Sequence, residues 1–190
     1  MGSLPGVMFA VFVLGAVIVS AVAAWTDFRT GHIPNWLTLG SLPVAIVLHL
    51  AVGWRVGGFR HGLEEAAFSI AGAVFCSIAP AAMYMAGGMG GGDLKLFAAI
   101  GALLQPMLGI EAETYGFVAA AIIALANMAY RGTLLRTLGS SFSLAFNVVR
   151  PQKNRREIPH EALTWFRLGP SIFIGTLATL LVHVYALVPN

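Results

Sequence analysis

Stretches of about 20 residues without a single Asp, Glu, Lys or Arg recur along this chain, and they decide what it can fold into. They run Pro5–Trp25, Trp36–Trp54, Ala66–Gly87, Leu96–Ile110, Thr114–Tyr130 and Leu168–Pro189. About 20 apolar residues at 1.5 Å each cross the roughly 30 Å of a bilayer's hydrocarbon. In that solvent every backbone polar group must be satisfied internally, which makes each stretch helical. With 58% hydrophobic and 10% charged residues in 190, the chain carries more apolar surface than a soluble domain of this size can bury. The expected fold is therefore all-α: a polytopic membrane protein, a bundle of about six transmembrane helices forming one domain over 1–190. The fourth stretch is short and holds Pro106, so it is expected to tilt, kink or embed only partly.

Charge between the stretches sets the orientation. With the N-terminus outside, the inner segments 26–35, 88–95 and 131–167 hold nine basic residues: Arg29, Lys95, Arg131, Arg136, Arg150, Lys153, Arg155, Arg156 and Arg167. The outer side holds two, Arg55 and Arg60. The positive-inside rule favours this arrangement. The first 26 residues have no charge and hence no basic n-region, so the first stretch is expected to stay as a membrane helix rather than be removed as a signal peptide. Segment 131–167 reads as a cytoplasmic basic loop, with an interfacial amphipathic helix in 132–149 and a basic run at 150–156 drawn to anionic headgroups. That run is short and lacks interleaved aromatics, so no nucleic-acid partner is expected.

The chain has two aspartates, Asp27 and Asp93, and this orientation puts both at the cytoplasmic mouth of a helix. A carboxylate there is costly unless it has a task. Asp27 precedes a turn, Thr30-Gly31 to Pro34-Asn35, and Asp93 closes the run Gly90-Gly91-Gly92. Backbone free of side chains lets another chain approach closely and lie as an added strand. Two close carboxylates share one proton, so that one acts as base toward water while the other protonates a scissile amide. The helix-end fields suggest further that the resting proton sits on Asp27, at a negative helix end, leaving Asp93 as the base. No metal or cofactor is called for: His160-Glu161 is not continued to a zinc motif, no Gly-x-Ser-x-Gly appears, and Cys76 is the one cysteine, read as a core thiol.

Gly90-Gly91-Gly92-Asp93 matches the Gly-x-Gly-Asp signature of intramembrane aspartic proteases. With the segment from Asp27 to Asn35 66 residues earlier, and Leu94-Lys95-Leu96 after it, the chain resembles the type IV prepilin peptidase family. Its length resembles the short branch serving Flp-type tight-adherence pili. The resemblance covers Pro5 to Ile110, and more loosely Ile158-Pro159, Gly169-Pro170-Ser171 and Gly175. It implies that Asp27 and Asp93 are catalytic in an aspartic endopeptidase of the prokaryotic cytoplasmic (inner) membrane. The implied substrate is a prepilin or pseudopilin, whose basic leader is cut at the cytoplasmic face. Longer members carry an extra cytoplasmic domain with paired cysteines and also N-methylate the product; here ten residues (26–35) separate the first two spans, and methyltransferase activity is not assigned.

Around the pair, Gly90, Gly91 and Gly92 are expected to shape the cleft, with Lys95, Arg29, Pro34 and Asn35 in support. His49 and His183 read as packing or interhelical hydrogen-bonding residues, and Glu64, Glu65, Glu111 and Glu113 as charges of outer loops. Two other classes fit the same residues: a small transporter, with the aspartates binding a cation at a broken helix, or a non-catalytic pilus or secretion assembly factor.

Overall fold

A computed structural model of the chain describes residues 6–130 and 168–183. The basic loop at 131–167, its interfacial helix at 132–149 and the run at 150–156 lie outside the described residues. Those described form four helices: α1 (Gly6–Thr30), α2 (Asn35–Met85), α3 (Gly91–Tyr130) and α4 (Gly169–Val182). Three of them are long and apolar enough to cross a membrane, so this is an all-helical membrane protein. Contacts divide the chain into Met1–Ala120 with Arg167–Asn190, and Ala121–Phe166. The second unit contributes only the helical residues 121–130 to what is described. Both aspartates belong to the first.

Helices α2 and α3 are not straight rods. At 51 residues, α2 would run about 75 Å if straight. Gly58 interrupts it with φ 81° and ψ −178°, backbone open essentially to glycine alone. A Cβ built on Gly53 would stand 2.9 Å from the Cα of Gly62, a pair that a straight helix separates by about 13 Å. The chain therefore reverses at Gly58, and its two arms pack together. The expected outer loop at 55–65 is instead helical on both sides of one glycine.

In α3 the same happens at Gln105 (φ 60°, ψ 175°), the residue before Pro106. Proline pushes its predecessor out of the helical region, which accounts for the extended ψ. A Cβ on Gly109 would lie 3.1 Å from the Cα of Gly101, so this chain too turns back. The expected span Leu96–Ile110 is thus two helical pieces meeting at Gln105. The break strands carbonyls in the protein interior, and α2 supplies their donors. Ser69 Oγ donates to the Ala102 carbonyl (2.7 Å), and His49 Nε2 lies 3.1 Å from that of Leu103. Gln105 Nε2 donates to Glu65 Oε2 (2.6 Å) and sits 3.2 Å from His49 Nδ1. Phe12 of α1 stacks on the His49 ring at 3.8 Å. His49 is therefore the interhelical hydrogen-bonding residue expected of it. Glu65 is no loop charge but half-buried against Gln105, and Glu113 is buried as well.

The first arm of α3 is the centre of the unit. Leu96, Phe97, Ala99, Ile100, Ala102, Leu103 and Leu104 are all buried, so its apolar surface faces protein all round. Gly72 of α2 and Gly101 meet backbone to backbone; a Cβ on either would run into the other's carbonyl oxygen. By contrast Val44, Val47, Phe68, Val74, Phe75 and Ile78 of α2 are exposed, as lipid-facing side chains are. The core thus anchors the one arm whose tip is Asp93.

Candidate active site

Helix α1 ends as its sequence predicts. Gly31 takes φ 68° and its N–H donates to the Asp27 carbonyl (2.8 Å), an αL cap that turns the chain into 32–34. Pro34, with φ −69°, then stands just ahead of α2, where its missing N–H costs nothing. The glycine run does the same between α2 and α3. Gly87 takes φ 76°, and the Gly88 N–H returns to the Met83 carbonyl (2.9 Å), ending α2. Both turns come out at one end of the unit. Ile33 from the first lies over Gly92 of the second, where an added Cβ would be 3.3 Å from the Ile33 Cβ. Lys95 Nζ donates to Asn35 Oδ1 at 2.9 Å.

The two carboxylates meet at this end. Asp27 and Asp93 lie close enough for the charge of one to act on the other. Each also meets a backbone N–H of a glycine where a helix begins. Asp93, in the first turn of α3, hydrogen-bonds the N–H of Gly90. Asp27, 6% exposed, accepts through Oδ2 from the N–H of Gly169 at the start of α4 (3.1 Å). This removes the asymmetry from which the resting proton was assigned to Asp27. Its surroundings are not only the negative end of α1 but also the positive end of α4, and Lys95 faces Asn35 rather than Asp93. The site is a pair of carboxylates, each beside a main-chain N–H, with Asp27 held through Oδ2.

The other expected residues fall around this pair in distinct ways. Gly90 serves Asp93 directly through its N–H. Gly91 and Gly92 are covered by the protein itself, by Tyr84 at 3.5 Å and by Ile33, so their bareness admits neighbouring side chains of this chain. The Arg29 guanidinium lies 4.5 Å from the centre of the Trp25 ring, an interfacial contact rather than an ion pair with Asp27. Lys95 and Asn35 bond each other and tie α2 to α3 beside Asp93. Ion pairs among the described residues all join His to Glu. Neither Arg29 nor Lys95 forms an ion pair with Asp27 or Asp93.

One residue at the site was not among the expected ones. Gly169 lies 142 residues from Asp27. Its signal in sequence is Gly169-Pro170-Ser171 opening an apolar stretch, a helix start with proline in the first turn. Nothing in that pattern says to which side chain its N–H donates.

Comparison with known proteins bears on the same region. A profile of the type IV leader peptidase family matches residues 12–125, well over half the chain and including both aspartates. No curated protein and no solved structure gives a match. On the family match, this chain belongs to the type IV leader peptidase family.

Proposed function

We propose that the protein is an aspartic endopeptidase that removes the basic leader of a prepilin or pseudopilin at the cytoplasmic face of the prokaryotic inner membrane. The observation that carries this reading is the meeting of Asp27 and Asp93 at one end of the unit, each held by a backbone N–H. Two carboxylates that feel each other's charge hold one proton between them. The unprotonated one takes a proton from water as the water oxygen adds to the scissile carbonyl carbon. The C–N bond then breaks as a carboxyl proton passes to the leaving nitrogen. The pair has gained one proton and given one, and stands ready for another turn.

Membrane placement follows from charge and aromatics. Trp36 and Trp54, both exposed, stand about 27 Å apart along the first arm of α2, near the thickness of a hydrocarbon core. With Trp25 and Phe28 exposed at the aspartate end, and Phe59 near Trp54, the unit carries aromatic residues at both interfaces. The nine-to-two distribution of basic residues supports an orientation with the aspartate end toward the cytoplasm and the N-terminus outside. The arms of α2 and α3 then give six membrane segments with α1 and α4. The first arm of α3, residues 91–104, is only about 20 Å long and enters partway.

The test is processing of a co-expressed prepilin. Asp27→Asn and Asp93→Asn, each at normal membrane level, are expected to lower processing by at least about 10³-fold, as loss of one member of an acid–base pair does. Full processing by either variant would remove that residue from the pair. A cation flux that depends on both residues, without processing, would move the site to the transporter class.

A further inference from the structure

The Gly-x-Gly-Asp run supplies a main-chain donor to Asp93, but nothing in that run or in the turn after α1 supplies one to Asp27. We propose that Gly169 does: it is a positioning residue of the carboxylate pair, acting through its N–H and through its lack of a side chain. The inference rests on the proteolytic reading of the site and adds the last helix to it.

Three observations converge on Gly169. Its N–H donates to Asp27 Oδ2 at 3.1 Å in buried surroundings, where a hydrogen bond to a charged acceptor is strong and holds its geometry. A Cβ at this position would stand 2.9 Å from both the Cβ and the Oδ2 of Asp27 and 3.2 Å from its Cγ, so any other residue pushes the carboxylate aside. Pro170, the next residue, offers no N–H of its own. The approach is set by α4 as a whole: Ser20 Oγ and Thr176 Oγ1 meet at 2.6 Å two turns below Asp27, and Gly175 packs against the backbone of α3 at Ala112 and Gly116.

The consequence is chemical. Oδ2 of Asp27 is an acceptor in this arrangement and carries no proton, so Oδ1 is the oxygen left for the shared proton and for water. Asp93 is held in the corresponding way by Gly90. Two helix starts, α3 and α4, thereby each meet one of the two carboxylates. Losing one anchor leaves the other carboxylate in place but lets Asp27 turn, which costs reaction geometry rather than substrate affinity.

The experiment has two arms, both on the full chain. In the first, a leader-bearing peptide is cleaved by wild type, Gly169→Ala and Gly62→Ala, with kcat and KM separated. Gly169→Ala is expected to lower kcat about 10²-fold with KM within about 2-fold, the size of effect a misplaced catalytic group produces. It should also shift the pH profile of kcat. Gly62→Ala introduces a comparable backbone clash between the two arms of α2, away from Asp27 and α4; it should lower thermal stability yet keep kcat per folded molecule. The second arm needs no activity. The Gly169 amide resonance, one of the five that labelled Leu–Gly peptides give and assigned by its loss in Gly169→Ala, should move on Asp27→Asn and follow pH in wild type only. An amide indifferent to Asp27→Asn, or a Gly169→Ala enzyme with wild-type kcat and pH profile, overturns the proposal. An amide that responds in a wild-type protein that cleaves nothing overturns the peptidase reading, and with it the positioning role, while the hydrogen bond stands.

Discussion

Gln105 is buried in backbone territory that side chains avoid, and it stays there because its neighbours leave it no alternative. Pro106 fixes the extended ψ, while the amide is shared between Glu65 and His49. Strain of this kind costs about 1–3 kcal/mol and persists only where the surroundings over-determine it. His49 is the centre of those surroundings. It meets the Leu103 carbonyl through one ring nitrogen and the Gln105 amide through the other, under the Phe12 ring. With Nε2 donating to the carbonyl, Nδ1 is free to accept from Gln105, so the neutral ring satisfies both partners. His49→Ala takes the histidine from the buried Leu103 carbonyl, leaves the Gln105 amide to Glu65 alone and opens a hole beside Phe12. Interhelical bonds in membranes average only about 0.6 kcal/mol, but three contacts go together, so a loss of about 1–3 kcal/mol is expected. Thermal unfolding in detergent reads it, and stability equal to wild type would show that the network is dispensable.

At the scale of elements, the molecule uses glycine where backbones must touch and leaves other glycines idle. Gly72 and Gly101 bring α2 against the arm that ends in Asp93, so the depth of that arm depends on their having no side chains. Gly40, in the first arm of α2, faces open space with nothing within 4 Å of an added Cβ. Gly72→Ala must separate two backbones and is expected to cost about 1–3 kcal/mol or more, with a lower midpoint of thermal unfolding. Gly40→Ala fills nothing and removes a poor helix former, so it should be neutral or gain up to about 1 kcal/mol. Equal midpoints for the two variants would contradict the packing described. Sequence reading could not separate these glycines, because both lie in apolar helical stretches and only the fold says which one faces another backbone. The same limit explains segment 55–65. Its Arg55, Arg60, His61, Glu64 and Glu65 read as a loop by polarity, yet a single Gly58 suffices to reverse the chain, and Glu65 turns inward to Gln105.

Over the whole molecule, what the sequence made legible is the local chemistry at the ends of helices. The αL cap at Gly31, the proline at the head of α2 and the glycine run before Asp93 each declare themselves within a few residues. Helical character followed from apolar length alone. What stayed hidden was long-range: the reversals at Gly58 and Gln105, and the closing of the site by Gly169, which is distant in sequence from both aspartates. The central claim is itself long-range, since it joins the end of α1 to the start of α3. It is tested most directly by Asp27→Cys with Asp93→Cys in a chain whose one cysteine, Cys76, is replaced by Ala. Treated in oriented membranes with a short bifunctional thiol reagent, the double variant should cross-link in high yield from the cytoplasmic side, and each single variant should not. Absence of the cross-link with both thiols accessible, or labelling of the two positions from opposite faces, would contradict the account.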